Sequence, residues 1–349
     1  MKMKYSQLSL SRRGLLAAGG AVGAGALLAA CGGNEETGSS SSSAAPAAAA
    51  GPWSFTDDQP KELKADKTPS KIVAFTGTAA ALADLGLQDK IVGVFGETKK
   101  ADGTADPQAG TLDIDKVQII GNKWGEFSVE KYAALQPDLL ITHMYDPGAY
   151  WYLPDESKDQ ILKVAQAATI TVGRVPLNKP IERYADLAKS LGADLSAPKV
   201  TEAKARFEKA VADLSAAAKA SGGIKVLAGS GAADIFYVSN PKVSADLMYF
   251  KELGVDIIVP EKTDGGDYFE SLSWENANKY HADIIFLDSR AGVALQPNDL
   301  ASKPGWSALP AVKANQVVPW QSVPIYSWAG SAPLIEALTE AIKKSKKLA

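Results

Sequence analysis

A sequence pattern that occurs twice constrains the fold of this chain more than any other feature. Residues 124–142 and 269–287 each contain an aromatic residue, a serine, a glutamate and an aspartate at the same relative positions, followed by a short apolar run. The first copy supplies Trp124, Ser128, Glu130 and Asp138, and the second supplies Phe269, Ser273, Glu275 and Asp283. Two copies are too few for a solenoid, in which each repeat stacks on its neighbours. The duplication therefore predicts a protein with two lobes of one design.

Each copy predicts the start of a helix followed by a buried strand. The serine can act as an N-cap because its oxygen accepts a hydrogen bond from a free N–H group of the first helical turn. The glutamate then falls in that turn, where the helix dipole favours negative charge. The apolar runs at 139–141 and 284–287 suit strands of a parallel sheet that is covered on both faces.

The alternation of strands and helices predicts the fold class and the ligand edge. We expect two Rossmann-like α/β lobes with parallel sheets. Ligands of such sheets bind at the carboxyl edge of the strands, where the helices begin. Trp124 and Phe269 lie just upstream of the predicted helices and should therefore lie at this edge. The expected strands are 71–75, 91–95, 139–141, 169–172, 224–228, 284–287 and 317–318, and the expected helices are 156–167, 180–191, 199–219 and 333–346.

The N-terminal residues 1–30 read as an export signal rather than as part of the fold. Basic residues precede an apolar, alanine- and glycine-rich run. Residues 11–16 resemble a twin-arginine export motif. Residues 28–31 resemble a bacterial lipobox, in which Cys31 is acylated and anchors the protein to the membrane. An ordinary secretory signal with an incidental cysteine is the alternative, but Cys31 is the only cysteine and stands where cleavage is expected.

The segment 31–52 predicts a flexible tether, because serine, alanine and glycine cannot bury a core. The globular part should begin near Trp53. The export signal holds four basic residues and no acidic one, so its removal takes the formal net charge from −3 to −7. Without a large basic patch, nucleic acid is not an expected partner. With no cysteine after Cys31, the fold uses neither disulfides nor thiolate metal sites.

Five sequence features together resemble the helix-linked, two-lobed solute-binding proteins of bacterial iron-siderophore, haem and cobalamin importers. They are Lys71-Ile72-Val73, Leu85-Gly86, Glu130 with Leu135-x-Pro137-Asp138-Leu139-Leu140-Ile141, the second copy around Glu275, and Leu309-Pro310-Ala311-Val312-Lys313-Ala314-Asn315-Gln316-Val317. The resemblance implies an N-terminal lobe at 53–177, a linking helix at 178–195 and a C-terminal lobe at 196–349, with a ligand cleft between the lobes. It also implies an extracytoplasmic monomer that works with the permease subunits of an ABC importer.

The cleft candidates are aromatic residues and arginines near strand ends. In the hydroxamate-siderophore branch of the family a tyrosine often follows the strand that here ends at Thr142, and the family often places a ligand-stacking aromatic after the strand at 317–318. An arginine fork could donate to hydroxamate or carboxylate oxygens. Core packing is the alternative for each aromatic residue, and simple solvation is the alternative for each arginine. The predicted ligand-binding residues are Trp124, Tyr145, Arg174, Phe269, Arg290, Trp320, Tyr326 and Trp328.

The two histidines discriminate among ligands. A receptor for bare zinc or manganese needs several converging histidine and carboxylate ligands, and only His143 is expected near the cleft, because His281 precedes its strand. A siderophore supplies all six iron ligands itself, so its receptor needs no metal-binding side chains and no cofactor. A haem receptor that uses His143 is an alternative, as is a cobalamin receptor.

Enzyme signals are poor. The segment Gly229-Ser230-Gly231-Ala232-Ala233-Asp234 matches half of a dinucleotide-binding fingerprint and is interpreted as a tight turn from a strand to a helix. The expected function is capture of a ferric siderophore, of hydroxamate type, by a lipid-anchored receptor; a secreted α/β enzyme is the competing class. In the family, glutamates at the places of Glu130 and Glu275 pair with permease arginines. The alternative role for both is helix-end electrostatics.

Overall fold

The computed structural model describes residues 51–264, 266–290 and 292–348. These residues fall in one compact unit that contains two β-sheets flanked by helices. The predicted export signal, Cys31 and nearly all of the tether lie outside the described residues. Among the residues that the structure describes, no helix is long and apolar enough to cross a membrane.

The strands and helices follow in alternation through most of the chain. The strands are β1 (Trp53–Thr56), β2 (Glu62–Ala65), β3 (Ile72–Phe75), β4 (Ile91–Phe95), β5 (Gln118–Gly121), β6 (Leu139–Met144), β7 (Gln166–Thr171), β8 (Lys225–Gly231), β9 (Ile235–Ser239), β10 (Asp256–Ile257), β11 (Phe269–Ser273), β12 (Ile284–Asp288) and β13 (Val317–Trp320). The helices are α1 (Thr76–Asp84), α2 (Val129–Ala134), α3 (Lys158–Val164), α4 (Asn178–Ser190), α5 (Pro198–Ala220), α6 (Ala245–Glu252), α7 (Pro297–Leu300), α8 (Pro310–Lys313) and α9 (Trp328–Lys344).

The first sheet is wholly parallel, with the strand order β5-β4-β3-β6-β7. Its two central strands, β3 and β6, are buried at every position. Strands that are covered on both faces appear in the sequence as continuous apolar runs, and this made β3 and β6 predictable from the sequence. The prediction of a parallel α/β lobe is confirmed here.

The second sheet has the order β11-β9-β8-β12-β13, with the short β10 beside β8. Strands β8, β10, β12 and β13 are parallel, whereas β9 runs antiparallel to β8 and β11 runs antiparallel to β9. The expected strand-to-helix turn at Gly229 is therefore wrong. Gly229 belongs to β8, which returns as a hairpin, and a Cβ atom there would lie 2.7 Å from the Tyr237 carbonyl oxygen.

The two copies of the repeated pattern differ in the structure. Ser128 caps α2 as predicted, because its side chain accepts a hydrogen bond from the Lys131 amide at 3.3 Å. Ser273 makes no such bond, and only a single 3₁₀ turn, Trp274–Asn276, follows it. The predicted second helix start is therefore wrong. Trp274 is buried in the core and donates to the Ala232 carbonyl oxygen at 3.1 Å, so this segment is held against the core.

A second, weaker pair of similar segments is preserved. Leu85-Gly86 ends α1 and Leu253-Gly254 ends α6, with each leucine at the C-cap. The glycines have φ angles of 89° and 96°, a conformation that helix ends commonly require and that glycine adopts without a Cβ clash. The repeated Leu-Gly pair therefore marks corresponding helix ends in the two lobes.

The chain passes from the first sheet to the second through α4 and α5 in succession. Helix α5 is the longer of the two, at 23 residues, and it packs along α9. One apolar core continues from Ile72 of the first sheet, through these helices, to Phe286 of the second. The two lobes therefore share a helical layer and a common core.

Candidate ligand-binding site

A cavity of ≈ 300 Å³ lies between the two lobes, at the carboxyl ends of their central strands. The N-terminal lobe supplies residues that follow β6. The C-terminal lobe supplies Ser230 near the end of β8, a residue that follows β12, Trp320 at the end of β13 with residues after it, and residues at the starts of β11 and α6. Six rings line it: Tyr145, Trp151, Tyr268, Phe269, Trp320 and Tyr326. The position is the one that parallel α/β lobes offer to ligands. An apolar cavity with few polar groups is also the usual form of a small-molecule site.

Tyr145 is central to the aromatic lining. Its ring lies 4.5 Å from that of Trp151 and 6.3 Å from that of Tyr268 in the other lobe. Its side chain is hydrogen bonded to that of Tyr326, and burial raises the pKa of both phenols well above the ordinary value. Both side chains are therefore neutral hydrogen-bonding groups at the cavity.

Arg290 is the one arginine among the residues that line this cavity. Its Nε and Nη2 atoms donate to the two Asp288 oxygens at 3.1 and 2.7 Å. The Asp288 side chain is fully buried and also accepts from Ser230 Oγ at 3.0 Å. Burial alone would lower the Arg290 pKa, but the bonds to Asp288 raise it, so the side chain stays charged. Its charge faces the phenols of Tyr145 and Tyr152.

Asp246 lies at the start of α6 and at the edge of the cavity, with only 1% of its surface exposed. Its Oδ2 atom accepts from Trp320 Nε1 at 2.6 Å, which fixes the indole as a cavity-lining ring that is itself 2% exposed. Burial raises the pKa of Asp246 to about 7, against the bonds from Trp320 and from the Leu247 amide that lower it. The carboxyl group therefore titrates near neutral pH.

Five predicted residues lie together in this cavity: Tyr145, Phe269, Arg290, Trp320 and Tyr326. Trp124 lies outside it, with 65% of its surface exposed. The Trp124 ring packs edge-on against Trp151 and Tyr152, at 5.2 and 4.8 Å, so it extends the aromatic lining towards solvent. The assignment of Trp124 as a ligand-binding residue stays a prediction.

Trp328 does not line the cavity, and its prediction as a cleft residue needs correction. It is the first residue of α9, it is half-buried against the main core, and its ring lies 5.9 Å from Lys204 Nζ of α5. Helix α9 begins here, earlier than predicted, because Ser327 accepts from the Gly330 amide at 2.9 Å. The Trp328 ring therefore packs beside α5 and not in the cavity.

Arg174 joins the lobes beside the cavity instead of lining it. Its guanidinium pairs with Asp146 at 3.1 Å, donates to the Gly266 carbonyl oxygen at 2.9 Å and lies 5.1 Å from the Tyr268 ring centre. Tyr268 in turn donates to Asp146 at 3.2 Å. Arg174 also borders a neighbouring cavity of ≈ 410 Å³ on the N-terminal lobe. Its partners lie in both lobes, so the residue acts as an inter-lobe contact.

His143 lies beneath the cavity and not among its lining residues. It is fully buried, and its Nδ1 atom contacts Tyr184 Oη at 2.7 Å and Thr78 Oγ1 at 3.2 Å. Burial lowers the pKa of His143 to about 3, so the ring is neutral. Within 51–264, 266–290 and 292–348, no group of three or more histidine, cysteine or acidic residues is placed to hold a metal ion.

The two glutamates predicted for permease docking are both exposed. Glu130 lies in the first turn of α2, and Glu275 lies in the 3₁₀ turn Trp274–Asn276. Neither belongs to an ion pair within the described part of the chain. Both carboxylates therefore face solvent.

The sequence did not single out Trp151, Tyr268 or Asp246 as site residues. Trp151 belongs to an aromatic-rich loop after β6, and Tyr268 directly precedes Phe269, so aromatic clustering next to a predicted site residue could have identified both. Asp246 carries no such signal, because its partner Trp320 is 74 positions away.

Comparison with known proteins gives a consistent family and fold. The sequence profile of the family described as periplasmic binding protein matches residues 72–324. The structure of DesE, a ferric-siderophore receptor protein from Streptomyces coelicolor, is 50% identical and superposes with a TM-score of 0.81, covering 85% of this chain and 100% of its own. No curated protein sequence matches significantly.

Two further solved structures share the fold at low identity. The petrobactin-binding protein YclQ from Bacillus subtilis is 20% identical, with a TM-score of 0.62 over 84% of this chain and 99% of its own. A siderophore periplasmic binding protein from the fuscachelin gene cluster of Thermobifida fusca is 22% identical, with a TM-score of 0.54 over 79% of this chain and 96% of its own. At these identities the similarity extends to the fold alone.

Proposed function

This chain belongs to the periplasmic binding protein family, and we propose that it captures a ferric siderophore outside the cytoplasm and delivers it to the permease of an ABC importer. One observation carries the proposal: half of the aligned residues are identical to those of a ferric-siderophore receptor, over 85% of this chain. The aromatic cavity between the lobes agrees with this function, because large flat rings suit a bulky and partly apolar chelate.

The charges around the cavity favour a chelate of hydroxamate type. Three hydroxamates balance the charge of Fe³⁺, whereas three catecholates leave the complex strongly anionic. Arg290 is paired with Asp288, and Asp246 adds a second buried carboxyl group nearby. An anionic complex would face these carboxyl groups with one already paired arginine to offset them, and like charges in a partly desolvated site repel. A chelate with a neutral metal centre is not repelled by these carboxyl groups.

The iron needs no ligand from the protein in this proposal, because the siderophore brings its own oxygen ligands. The residues of this chain bind and orient the complex: the rings stack on it, and the hydroxyls of Tyr145 and Tyr326 and the guanidinium of Arg290 offer hydrogen bonds. Trp151 and Tyr268 are added to the proposed ligand-binding residues, because their rings also line the cavity. The iron is cargo, and no chemical step on it is part of the function.

The haem alternative loses its predicted ligand, since His143 is buried beneath the cavity and bonded to Tyr184. An absorbance spectrum of the purified protein separates the candidates. A ferric hydroxamate absorbs broadly in the blue, haem gives a sharp Soret band, and an enzyme without bound chromophore gives neither signal.

A titration of intrinsic fluorescence against a panel of ferric chelates tests the proposal directly. Tryptophans border the cavity, so a bound ferric trishydroxamate should quench their emission. We expect tight, saturable quenching by trishydroxamates and weaker binding of triscatecholates. The proposal fails if no ferric chelate binds, and the hydroxamate assignment fails if triscatecholates bind more tightly.

Delivery is assigned to Glu130 and Glu275, and membrane attachment to acylation of Cys31. Both glutamates are exposed and form no ion pair with another described residue, so each can offer its charge to an arginine of a permease subunit. The protein is expected to act as a monomer, with one lobe facing each permease subunit.

A further inference from the structure

Asp246 is a buried carboxyl group at the ligand cavity without a cationic partner among the described residues. Its hydrogen bonds come from the Trp320 indole and the Leu247 amide, which are neutral donors. The other carboxylates nearby are compensated, because Asp288 pairs with Arg290 and Asp146 pairs with Arg174. When Asp246 is ionised, only neutral hydrogen-bond donors stabilise its negative charge.

An uncompensated charge in a buried position is unfavourable, which is why such groups are usually paired or neutralised. Burial raises the pKa of Asp246 to about 7, in agreement with this cost. The carboxyl group also borders the cavity, so a positive group on a ligand can approach it. Such a ligand would supply the positive charge that the described residues around Asp246 do not provide.

We propose that Asp246 makes the cavity selective for ferric chelates that carry a positive charge, such as a protonated amine, beside α6. The inference rests on the proposed function and adds to it the charge of the ligand and the residue that recognises it. Arg290 does not serve as the cationic partner of Asp246, because its guanidinium group is bonded to Asp288.

Two chelates that differ in one charge test the inference. The first is a linear ferric trishydroxamate with a free terminal amine, and the second is the same chelate with that amine acetylated. Both have the same neutral metal centre and nearly the same shape. We expect the wild-type protein to bind the amine form about tenfold more tightly, the effect of one hydrogen bond between charged partners.

The variant Asp246→Asn isolates the residue. The asparagine keeps an oxygen that can accept from Trp320, so the indole stays in place, but the charge is gone. We expect the preference for the amine form, measured as the ratio of the two Kd values, to fall to about onefold. Asp283→Asn is the control, since Asp283 is about equally buried in the same lobe and accepts from the backbone amides of Lys225 and Leu348, away from the cavity. That variant should keep the tenfold preference.

The pH dependence of the wild-type protein provides a measurement that needs no variant. Protonation removes the charge of Asp246 below its pKa, whereas the ligand amine stays protonated. The preference for the amine form should therefore be full near about pH 8 and vanish near about pH 5. The charged and titratable groups around Asp246 are Asp288 with its partner Arg290, and the phenols of Tyr145 and Tyr326, which stay neutral throughout because burial raises their pKa values.

The outcomes separate this inference from the proposed function. If both chelates bind equally at all pH values, or if folded Asp246→Asn keeps the preference, the charge assignment is overturned and the receptor function stands. If neither chelate binds to the wild-type protein, both proposals are overturned.

Discussion

Replacement of Arg290 by methionine should destabilise the protein by about 2–3 kcal/mol. The methionine keeps most of the apolar stem but removes the three charge-assisted hydrogen bonds to Asp288, at 3.1, 3.3 and 2.7 Å. The Asp288 side chain is fully buried and keeps only Ser230 Oγ and the backbone amide of residue 290 as donors. Breaking a buried ion pair commonly costs about 3–5 kcal/mol. The Arg290 side chain is 27% exposed, so water from the cavity offsets part of this cost.

A double variant separates the loss of the pair from the loss of packing. Asp288→Asn/Arg290→Met leaves no unpaired charge, and the asparagine can still accept from Ser230. We expect the double variant to be more stable than the single Arg290→Met variant by about 1 kcal/mol or more. The reason is that the single variant leaves the Asp288 carboxylate buried and unpaired, whereas the double variant has no charge at this position. Urea unfolding followed by circular dichroism measures each free energy of unfolding.

Arg206→Met is the matched control. Arg206 forms a two-bonded pair with Glu336, at 2.8 and 2.6 Å, but on the surface between α5 and α9, where its side chain is 54% exposed. Exposed pairs contribute about 0–1 kcal/mol, so this variant should unfold nearly like wild type. Equal losses for the two single variants, or strict additivity in the double variant, would refute the assignment of Asp288 as a buried charge that depends on Arg290.

Three further predictions concern ligand binding, delivery and anchoring. Tyr145→Ala should weaken binding of a ferric trishydroxamate by about 2 kcal/mol, roughly thirtyfold in Kd, because a central ring of the cavity is lost; Trp328→Ala, outside the cavity, should leave the Kd unchanged in the same fluorescence titration. Glu130→Ala/Glu275→Ala should keep normal ligand affinity but lose uptake in vesicles. Cys31→Ala should release the protein into the medium without changing its affinity, because stable anchoring depends on the acyl chains.

Each of these predictions has a contrary outcome. Equal affinity losses in Tyr145→Ala and Trp328→Ala would contradict the assignment of the cavity. Uptake at the wild-type rate by the folded glutamate variant would leave helix-end electrostatics, about 0.3–1 kcal/mol, as the role of both residues. A Cys31→Ala protein that stays with membranes as firmly as wild type would contradict the lipoprotein interpretation.

The sequence predicted the parallel strands because burial on both faces leaves a continuous apolar run, as at β3 and β6. It mispredicted the second copy of the repeated pattern for a tertiary reason. Ser273 looks like an N-cap, but Trp274 is buried against the core with Trp306 and Phe236, and β11 pairs with β9. Packing therefore overrode the local capping signal. The hairpin β1–β2 was also missed, although its alternating burial is the ordinary signal of a half-covered sheet.

The site was predictable where it depends on strand ends and unpredictable where it depends on contacts between distant segments. Tyr145 and Arg290 follow strands, and their positions at one edge follow from the parallel sheet. Arg174 also follows a strand, yet its side chain donates to the Gly266 carbonyl oxygen and lies over the Tyr268 ring of the other lobe, which no local pattern specifies. Trp328 was misplaced because the sequence put the start of the last helix at Pro333, whereas the cap at Ser327 begins it five positions earlier.

Tyr326 connects the ligand cavity to the structure that joins the lobes. Its ring lines the cavity, lies 5.0 Å from that of His143 and stacks at 6.4 Å on that of Tyr184 in α4. The next residue, Ser327, donates to Asp84 of α1 at 2.5 Å. His143 stays neutral, because burial lowers its pKa to about 3, so this cluster keeps one charge state across ordinary pH. Tyr326 therefore belongs to a buried aromatic cluster that contains His143 of the first lobe and Tyr184 of α4, and a ligand that moves the Tyr326 ring must repack this cluster.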